Sequence, residues 1–273
     1  MAKTHKKIIG LITDFGKKGQ HYVASMKGVI LSINPEVNVV DISHNITPFS
    51  IIEASYILNA TYKYYPKGTV FVIVVDPGVG STREILVVHT VKGYYIVGPN
   101  NGIFQGVLES DMITECIEIT NEEYFIKPIS NTFHGRDIMA PIAANITKGV
   151  PLSNFGVNLD KNKIISYPIE FRMISQNEIR CIAQFIDEFG NITTNYRPSS
   201  NLLKNGDIIK AILGRTEVSG KFGHFFENVI RNSVLFLIGS TGFLEISKNQ
   251  GNAAVDFEIE VGDSITIILP EVN

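Results

Sequence analysis

Three aspartates in the first third of the chain stand where short apolar runs end. Asp14 and Asp76 follow runs of strand length, and Asp41 lies near the end of a third run. Ligands of parallel α/β sheets bind outside the carboxyl ends of the strands, so carboxylates at these positions can meet on one ligand. Each aspartate alone could terminate a strand or cap a helix, but the three together favour a functional site.

A glycine-containing loop separates Asp76 from Arg83. Gly78 and Gly80 give this loop a superficial likeness to a phosphate cradle. It lacks the Gly-Lys-Ser/Thr ending of a P-loop and the third glycine of a dinucleotide-binding fingerprint. The loop is short enough to fold the carboxylate and the guanidinium toward each other. Such a pair could simply lock the loop, as many ion pairs do, or could belong to the site.

A histidine beside a glycine precedes the last helix predicted in the first half. His134 could serve there as a general base, a ligand or a cap, and Asp137 is predicted to be the helix cap. The other histidines lack the Cys/His or His/Glu spacing that is diagnostic of zinc. The sequence therefore predicts no catalytic metal and no cofactor.

A second group of polar and aromatic side chains lies in the last third of the chain. Asp187, Phe189 and Asn191 stand around a glycine and could pair with an amino group, an amide edge or an aromatic ring. Turn chemistry explains the Gly-Asn pair but does not require the neighbouring Asp187 and Phe189. A further polar region, broken by glycines, contains Ser240 and Glu245.

The spacing of apolar residues in the first half alternates between strand and helix. Apolar runs at 8–12, 37–42 and 70–75 predict strands, and three- and four-residue steps after the first two predict helices. Fully apolar strands between helices are typical of a parallel sheet that is covered on both faces. Two further strands are predicted at 84–91 and 94–97, around a Lys-Gly turn.

The second half has a different pattern, without helical periodicity. Strand-length segments separated by turn signals predict a small β-barrel or sandwich. We therefore predict an α/β N-terminal domain with a mainly parallel sheet at 1–156, a linker at 157–176, and a small all-β, barrel-like C-terminal domain at 177–273. The strands predicted in the second half are 179–186, 208–213, 234–238, 244–246, 255–261 and 264–269.

Composition limits the partners and the compartment. The 273 residues include 24 Lys and Arg against 27 Asp and Glu, a net charge of −3 that excludes a basic nucleic-acid coat. Two cysteines are too few for a disulfide framework and indicate a reducing compartment. Polar residues interrupt every apolar run before it reaches the ~18–20 residues of a membrane helix, and the N-terminus does not fit a signal peptide. We expect a cytoplasmic protein without nucleic-acid or membrane partners.

Taken together, six segments in both halves resemble one enzyme family, the S-adenosylmethionine (SAM) hydrolases. These enzymes are also called hydroxide adenosyltransferases and are related to the fluorinase and chlorinase enzymes. The resemblance runs from about residue 8 to the C-terminus, with the motifs in the right order. The motifs are Thr-Asp-Phe-Gly at 13–16, Asp-Ile-Ser-His at 41–44, Val-Asp-Pro-Gly-Val-Gly at 75–80, Phe-His-Gly-Arg-Asp at 133–137, Asp-Glu-Phe-Gly-Asn at 187–191 and Ser-Thr-Gly-Phe-Leu-Glu at 240–245.

The resemblance implies an assembly and a set of residue roles. It implies a homotrimer whose sites lie between one subunit's α/β domain and a neighbour's β-barrel, and cleavage of SAM to adenosine and methionine. Asp76, Arg83 and His134 match the catalytic trio of the family. The resemblance also implies which residues contact the substrate. Asp14 would bind the ribose hydroxyls, Asp187 and Ser240 the methionine end, and Phe189 and Asn191 the adenosine. Phe49 and Phe133 would form the walls of the reaction centre, and Glu245 would make a further substrate contact.

The chemistry of SAM is consistent with this trio. Attack at the ribose C5′ expels a neutral thioether from the sulfonium, so no general acid is required. Water has a pKa of about 15.7 and, without a metal, must be positioned and relieved of a proton by protein groups. Asp76 and His134 can accept that proton, while Arg83 stabilises hydroxide character.

Three alternative functions remain open. A SAM-dependent halogenase is one, although halogenases carry Tyr where this chain has Asp76 and His134, Ser at Gly135, and Arg at Thr241. A carboxylate at position 76 would also repel a halide. A non-catalytic SAM or adenosine sensor would share the binding residues without needing the trio. A metal-dependent phosphohydrolase would explain clustered aspartates but would require divalent ions and phosphate-bearing substrates.

Overall fold

The chain forms two compact units. The computed structural model describes residues 6–167, 171–199 and 202–271. The first unit spans 1–167 and the second 168–273. The domain boundaries predicted from the sequence, with a linker at 157–176, remain a prediction. Within the described ranges, no helix combines the length and the apolar character that crossing a membrane requires.

The first unit is built on a seven-stranded sheet with the order β2-β1-β3-β5-β4-β6-β7. The four strands β2, β1, β3 and β5 are parallel, and β4, β6 and β7 continue the sheet through antiparallel pairings. Its strands are β1 (Ile8–Thr13), β2 (Asn38–Ser43), β3 (Val70–Val74), β4 (Ile85–Thr90), β5 (Tyr95–Pro99), β6 (Ile113–Ile119) and β7 (Gly156–Asn158), and its α-helices are α1 (Gln20–Ile33), α2 (Ile51–Thr61), α3 (Gln105–Leu108) and α4 (Ala140–Thr147).

Both faces of this sheet are covered, which explains why β3 is apolar throughout. Successive residues of a strand point to opposite faces. Val72 packs in the cluster that includes α1 and α4, whereas Ile73 packs in the cluster that includes α2. Helix α1 contributes Val23, Met26 and Ile30 to the first cluster, at the three- and four-residue spacing of a helix face. The predicted α/β domain is confirmed.

The second unit is a small closed β-barrel. Seven strands follow one another as β10-β14-β13-β12-β11-β15-β9, and β9 pairs back onto β10 to close the ring, while β8 adds to β9. The predicted barrel-like domain is confirmed. Its strands are β8 (Arg172–Met173), β9 (Glu178–Ile186), β10 (Ile192–Thr194), β11 (Ile208–Leu213), β12 (Thr216–Phe222), β13 (Val234–Ile238), β14 (Leu244–Lys248) and β15 (Ser264–Ile268).

One strand predicted in this unit is wrong. Residues 255–261 were expected to form a strand, but the structure has the short helix α5 (Ala253–Phe257) there. The side chain of Asn252 caps this helix by accepting a hydrogen bond from the Val255 amide, and Glu258 ends it in a left-handed conformation (φ 54°). A local cap therefore overrode the strand propensity of the apolar residues.

Candidate active site

A cleft of about 450 Å³ opens beyond the carboxyl ends of β1 and β3 in the first unit. Parallel strands end at the same edge of a sheet, so the residues that follow them converge there. Asp14 and Asp76 both line the cleft, as predicted from their positions after β1 and β3, but Asp41 does not lie in its wall. The wall includes Asp14, Phe15, Tyr22, Phe49, Asp76, Phe133 and His134.

Arg83 joins Asp76 to His134 at this cleft. Its guanidinium donates through Nε to Oδ1 of Asp76 at 2.6 Å and through Nη2 to Oδ2 of the same carboxylate. Nη2 also lies 3.1 Å from Nδ1 of His134. The Asp76 side chain is 4% exposed and the Arg83 side chain 11% exposed. The structure thus brings the three predicted catalytic residues together.

The contact with Arg83 determines the hydrogen-bonding state of the His134 ring. A guanidinium can only donate, so Nδ1 must accept, and the neutral ring then carries its proton on Nε2. Burial lowers the pKa of His134 below its ordinary value, the charge of Arg83 lowers it further, and Asp76 and Asp137 act in the opposite direction. The ring is therefore neutral near pH 7 and offers an N–H to a ligand.

A close backbone approach holds the two halves of this trio together. Gly80 has φ +80°, and a Cβ at this position would lie 2.3 Å from the carbonyl oxygen of Asn131. Only glycine lets the loop that carries Asp76 and Arg83 rest on the segment that leads to His134. Gly135 is also tightly packed, since a Cβ there would lie 2.9 Å from Cγ1 of Val74.

Asp137 does not cap the helix, contrary to the prediction. It lies inside a π-helix, Gly135–Met139, that precedes α4, and it is fully buried. Its carboxylate accepts hydrogen bonds from the Ser130 amide at 2.8 Å and from Nε of Arg136 at 2.6 Å. A buried carboxylate satisfied in this way anchors the segment that presents His134. The sequence alone could not distinguish this role from a helix cap, because an Arg-Asp pair before an apolar helix is compatible with both.

Asp14 accepts a hydrogen bond from the amide of Phe49 through Oδ2 at 2.9 Å. Burial raises the pKa of Asp14 above its ordinary value, partly offset by this backbone hydrogen bond. Phe49 has φ 69°, in the left-handed region that bulky residues rarely adopt, and is 69% exposed. Ser50 follows it as the cap of α2. The two predicted substrate contacts are therefore physically linked.

Aromatic rings form one wall of the cleft. The Phe133 ring meets Phe15 edge to face with 5.8 Å between ring centroids, and meets Tyr22 in the same way at 5.0 Å. Phe133 was predicted to wall the reaction centre, whereas Phe15 and Tyr22 were missed. The available signal was weak: Phe15 directly follows Asp14, and Tyr22 lies in the first turn of α1.

In the second unit, Asp187 organises the loop between β9 and β10. Its Oδ1 accepts hydrogen bonds from the amides of Phe189 and Asn191, both at 2.9 Å, and its Oδ2 accepts from Nδ2 of Asn191 at 2.8 Å. Gly190 takes φ +80°, which glycine permits. The loop leaves the Phe189 ring 77% exposed, while Asn191 is buried.

Glu245 on β14 lies near this loop. Burial raises its pKa above the ordinary value, and the Asp187 charge raises it further, against a hydrogen bond from Thr193. A Cβ at Gly239 would lie 1.8 Å from Oε1 of Glu245, so a larger residue there would displace this carboxylate. Ser240 is exposed on the adjoining turn between β13 and β14. The barrel thus gathers the predicted residues Asp187, Asn191 and Glu245.

The acidic residues of the cleft do not form a cluster with metal-ligand geometry within the described residues. Among residues 6–167, 171–199 and 202–271, no three His, Cys, Asp or Glu side chains form a group that could hold a metal ion. The Asp76 carboxylate is instead engaged by Arg83 on both of its oxygens.

Comparison with known proteins identifies the family. Residues 9–156 match the N-terminal domain of the SAM hydroxide adenosyltransferases, and residues 181–266 match the C-terminal domain of the same family. The chain belongs to the SAM hydroxide adenosyltransferase family. It is 38% identical over 271 residues to the (R)-S-adenosyl-L-methionine hydrolase of Methanocaldococcus jannaschii, covering 96% of this chain and 95% of that protein.

Two further proteins resemble this chain over nearly its whole length. A crystal structure of an uncharacterized conserved protein from Thermotoga maritima superposes with a TM-score of 0.88 and 36% identity, covering 95% of this chain and 99% of that one. The fluorinase of Actinopolyspora mzabensis is more distant, at 25% identity over 293 residues, 95% of this chain and 96% of the fluorinase. The hydrolase and the fluorinase both match over nearly the whole chain, so the site residues must discriminate between them.

Proposed function

We propose that this chain hydrolyses SAM to adenosine and L-methionine by attack of water at C5′ of the ribose. The observation that carries the proposal is that Asp76 and His134 line one cleft and that Arg83 contacts both of them. These groups can position a water molecule and take its proton without a metal ion. The leaving group is a neutral thioether and needs no acid.

The three residues have different roles in this reaction. Asp76 is the proton acceptor, because each of its oxygens keeps a lone pair beyond the one used by Arg83. His134 donates from Nε2 to hold the water oxygen, since Nδ1 is engaged by Arg83. The guanidinium stabilises the negative charge that develops on the water oxygen. From the sequence, either Asp76 or His134 could accept the proton, and this assignment gives that role to Asp76 alone.

A halide is a poor nucleophile for this site. The carboxylate of Asp76 is 4% exposed, so its charge is only weakly screened by solvent. A chloride or fluoride ion beside it would be repelled, whereas a neutral water molecule would be held. The identity of residue 76 therefore favours hydrolysis over halogenation.

The proposal extends to the remaining substrate contacts and to the assembly that the family resemblance implies. Asp14 binds the ribose hydroxyls, and Phe49 and Phe133 form the walls of the reaction centre. The barrel residues that hold the methionine and adenosine parts belong to a neighbouring subunit of a homotrimer. The buried Cys116 and Cys181 form no disulfide within the described residues, which is consistent with a cytoplasmic protein. The barrel contacts are Asp187, Phe189, Asn191, Ser240 and Glu245.

Chromatography of SAM incubated with the pure protein and a chelator tests the reaction. We expect adenosine and methionine in equal amounts. Untouched SAM that nevertheless binds would indicate a sensor, and a 5′-halogenated nucleoside formed in chloride would indicate a halogenase. Dependence on added divalent ions would favour a metal-dependent phosphohydrolase.

A further inference from the structure

His44 contacts the Asp14 loop on both sides of Asp14. Its ring Nδ1 lies 2.9 Å from Oγ1 of Thr13, the residue before Asp14. Its backbone carbonyl accepts a hydrogen bond from the amide of Gly16, two residues after Asp14, at 2.7 Å. Thr13 is fully buried, so its hydroxyl depends on protein partners. One residue therefore holds both ends of the loop that presents the Asp14 carboxylate.

The His44 ring is itself oriented by Asp41. Nε2 of His44 lies 2.9 Å from Oδ1 of Asp41, within ion-pair distance, although the pair does not have hydrogen-bond geometry. The other carboxylate oxygen accepts a hydrogen bond from Nζ of Lys27 at 2.6 Å. Burial opposes ionisation of Asp41, but the neighbouring Lys27 and His44 hold its pKa below the ordinary value. An ionised carboxylate beside Nε2 favours the tautomer with the proton on that nitrogen.

This tautomer makes the hydrogen bonds to Thr13 mutually consistent. With the proton on Nε2, Nδ1 is an acceptor and the Thr13 hydroxyl donates to it. The same hydroxyl oxygen accepts a hydrogen bond from the Phe15 amide at 3.3 Å. The amide that follows Asp14 is thus connected through Thr13 and His44 to Asp41.

We propose that His44, oriented by Asp41, is a positioning residue that fixes the Asp14 carboxylate for the two ribose hydroxyls of the nucleoside. The inference rests on the proposed role of Asp14 in ribose binding. His44 does not line the Asp14 cleft but a neighbouring hollow of about 630 Å³, so it acts through the loop. Asp14 is additionally held by a hydrogen bond from the Phe49 amide.

The test compares two ligands that differ only at the ribose hydroxyls. Dissociation constants of adenosine and 2′,3′-dideoxyadenosine are measured by calorimetry on the full-length protein. We expect the wild type to prefer adenosine by roughly ten-fold or more, since a hydrogen bond to a charged group contributes about 1.5–3 kcal/mol. His44→Ala should weaken adenosine binding and leave dideoxyadenosine binding almost unchanged, which lowers the preference by about five-fold.

Matched variants separate positioning from a loss of stability. His89 makes a similar contact, with its Nδ1 3.2 Å from Oγ1 of Thr114, outside the cleft, so His89→Ala should leave both constants unchanged. His44→Gln keeps an acceptor for the Thr13 hydroxyl and should restore part of the preference, and it serves if His44→Ala does not fold. Thermal unfolding of each variant is recorded in parallel.

The outcomes distinguish this inference from the proposed function. Equal weakening of both ligands by His44→Ala or His44→Gln would show a merely structural role and would overturn the inference while the proposed function stands. A wild type that binds both ligands equally would refute the role of Asp14, and the inference with it. The wild type could also fail to cleave SAM and still prefer adenosine. If His44→Ala then loses that preference, the inference is supported and only the catalytic proposal is refuted.

Discussion

Arg83 donates through Nη2 to Nδ1 of His134, over a distance of 3.1 Å. Because the guanidinium cannot accept a proton, this contact prevents Nδ1 from being protonated without breaking the trio. Burial and the Arg83 charge both lower the pKa of the imidazole. His134 is thereby kept as a neutral donor instead of a cation.

This relationship predicts the pH dependence of His134. An NMR titration should give a midpoint below the ordinary value of 6.5, because burial and Arg83 disfavour the charged ring. The unfolded chain then binds more protons than the folded chain near and below pH 6.5, so the free energy of unfolding should fall as the pH is lowered through this range. His134→Gln assigns the resonance and should reduce the acid loss of stability. A midpoint above 6.5 would contradict the assignment.

Replacement of Asp76 should separate catalysis from binding. Asp76→Ala removes the proton acceptor and is expected to lower turnover of SAM by ~10²–10⁴-fold, with a much smaller change in its dissociation constant. Single-turnover kinetics and calorimetry measure the two effects. His134→Ala should behave in the same way. The exposed Asp160, which caps residues 161–163, supplies the control Asp160→Asn, expected to match the wild type. Equal losses of binding and turnover in Asp76→Ala would count against this role.

The origin of the new oxygen distinguishes attack at carbon from other routes. Hydrolysis in ¹⁸O-labelled water should place the label on the 5′-oxygen of adenosine, because water attacks C5′ and sulfur leaves. Mass spectrometry of the product reads this directly. With excess chloride or fluoride, little 5′-halogenated nucleoside should form beside the Asp76 carboxylate. Unlabelled adenosine would refute the mechanism, and efficient halogenation would revive the halogenase alternative.

Phe49 combines a strained backbone with an exposed ring. A non-glycine residue in the left-handed region costs about 1–2 kcal/mol, and Phe49 has φ 69°. Phe49→Ala and Phe49→Gly both remove the ring, but only glycine relieves the strain. We expect the free energy of unfolding of the glycine variant to exceed that of the alanine variant by about 1 kcal/mol. Both variants should bind adenosine more weakly than the wild type, because both lack the ring. Denaturant unfolding measures the difference, and a less stable glycine variant would argue against strain.

The assembly can be tested by mixing two inactive proteins. If a site combines Asp76 of one subunit with Asp187 of its neighbour, Asp76→Ala and Asp187→Ala chains exchanged in mild denaturant should form some sites that carry neither defect. Partial activity should then return, as expected for the heterologous contacts of a cyclic trimer. Exchange is verified by native mass spectrometry. No recovery after verified exchange would place the whole site within one chain.

Local sequence was sufficient for the positions of Asp14 and Asp76. The apolar runs before them are strands because their residues pack on both faces of a sheet, and parallel strands deliver whatever follows them to one edge. The loop from Asp76 to Arg83 is also a local feature, since a short glycine turn restricts where its two ends can lie. The family motifs could be recognised because each of them is a short, continuous stretch of sequence.

Only the tertiary structure decided which distant groups complete the site. Arg83 and His134 are 51 residues apart and meet because Gly80 allows its loop to rest on Asn131. Asp137 became a buried anchor instead of a cap because Ser130 and Arg136 satisfy its charge. Hydrophobic periodicity reports which face of an element is buried, whereas the contact between Arg83 and His134 depends on how two separate loops pack at the sheet edge, so no local pattern encodes it.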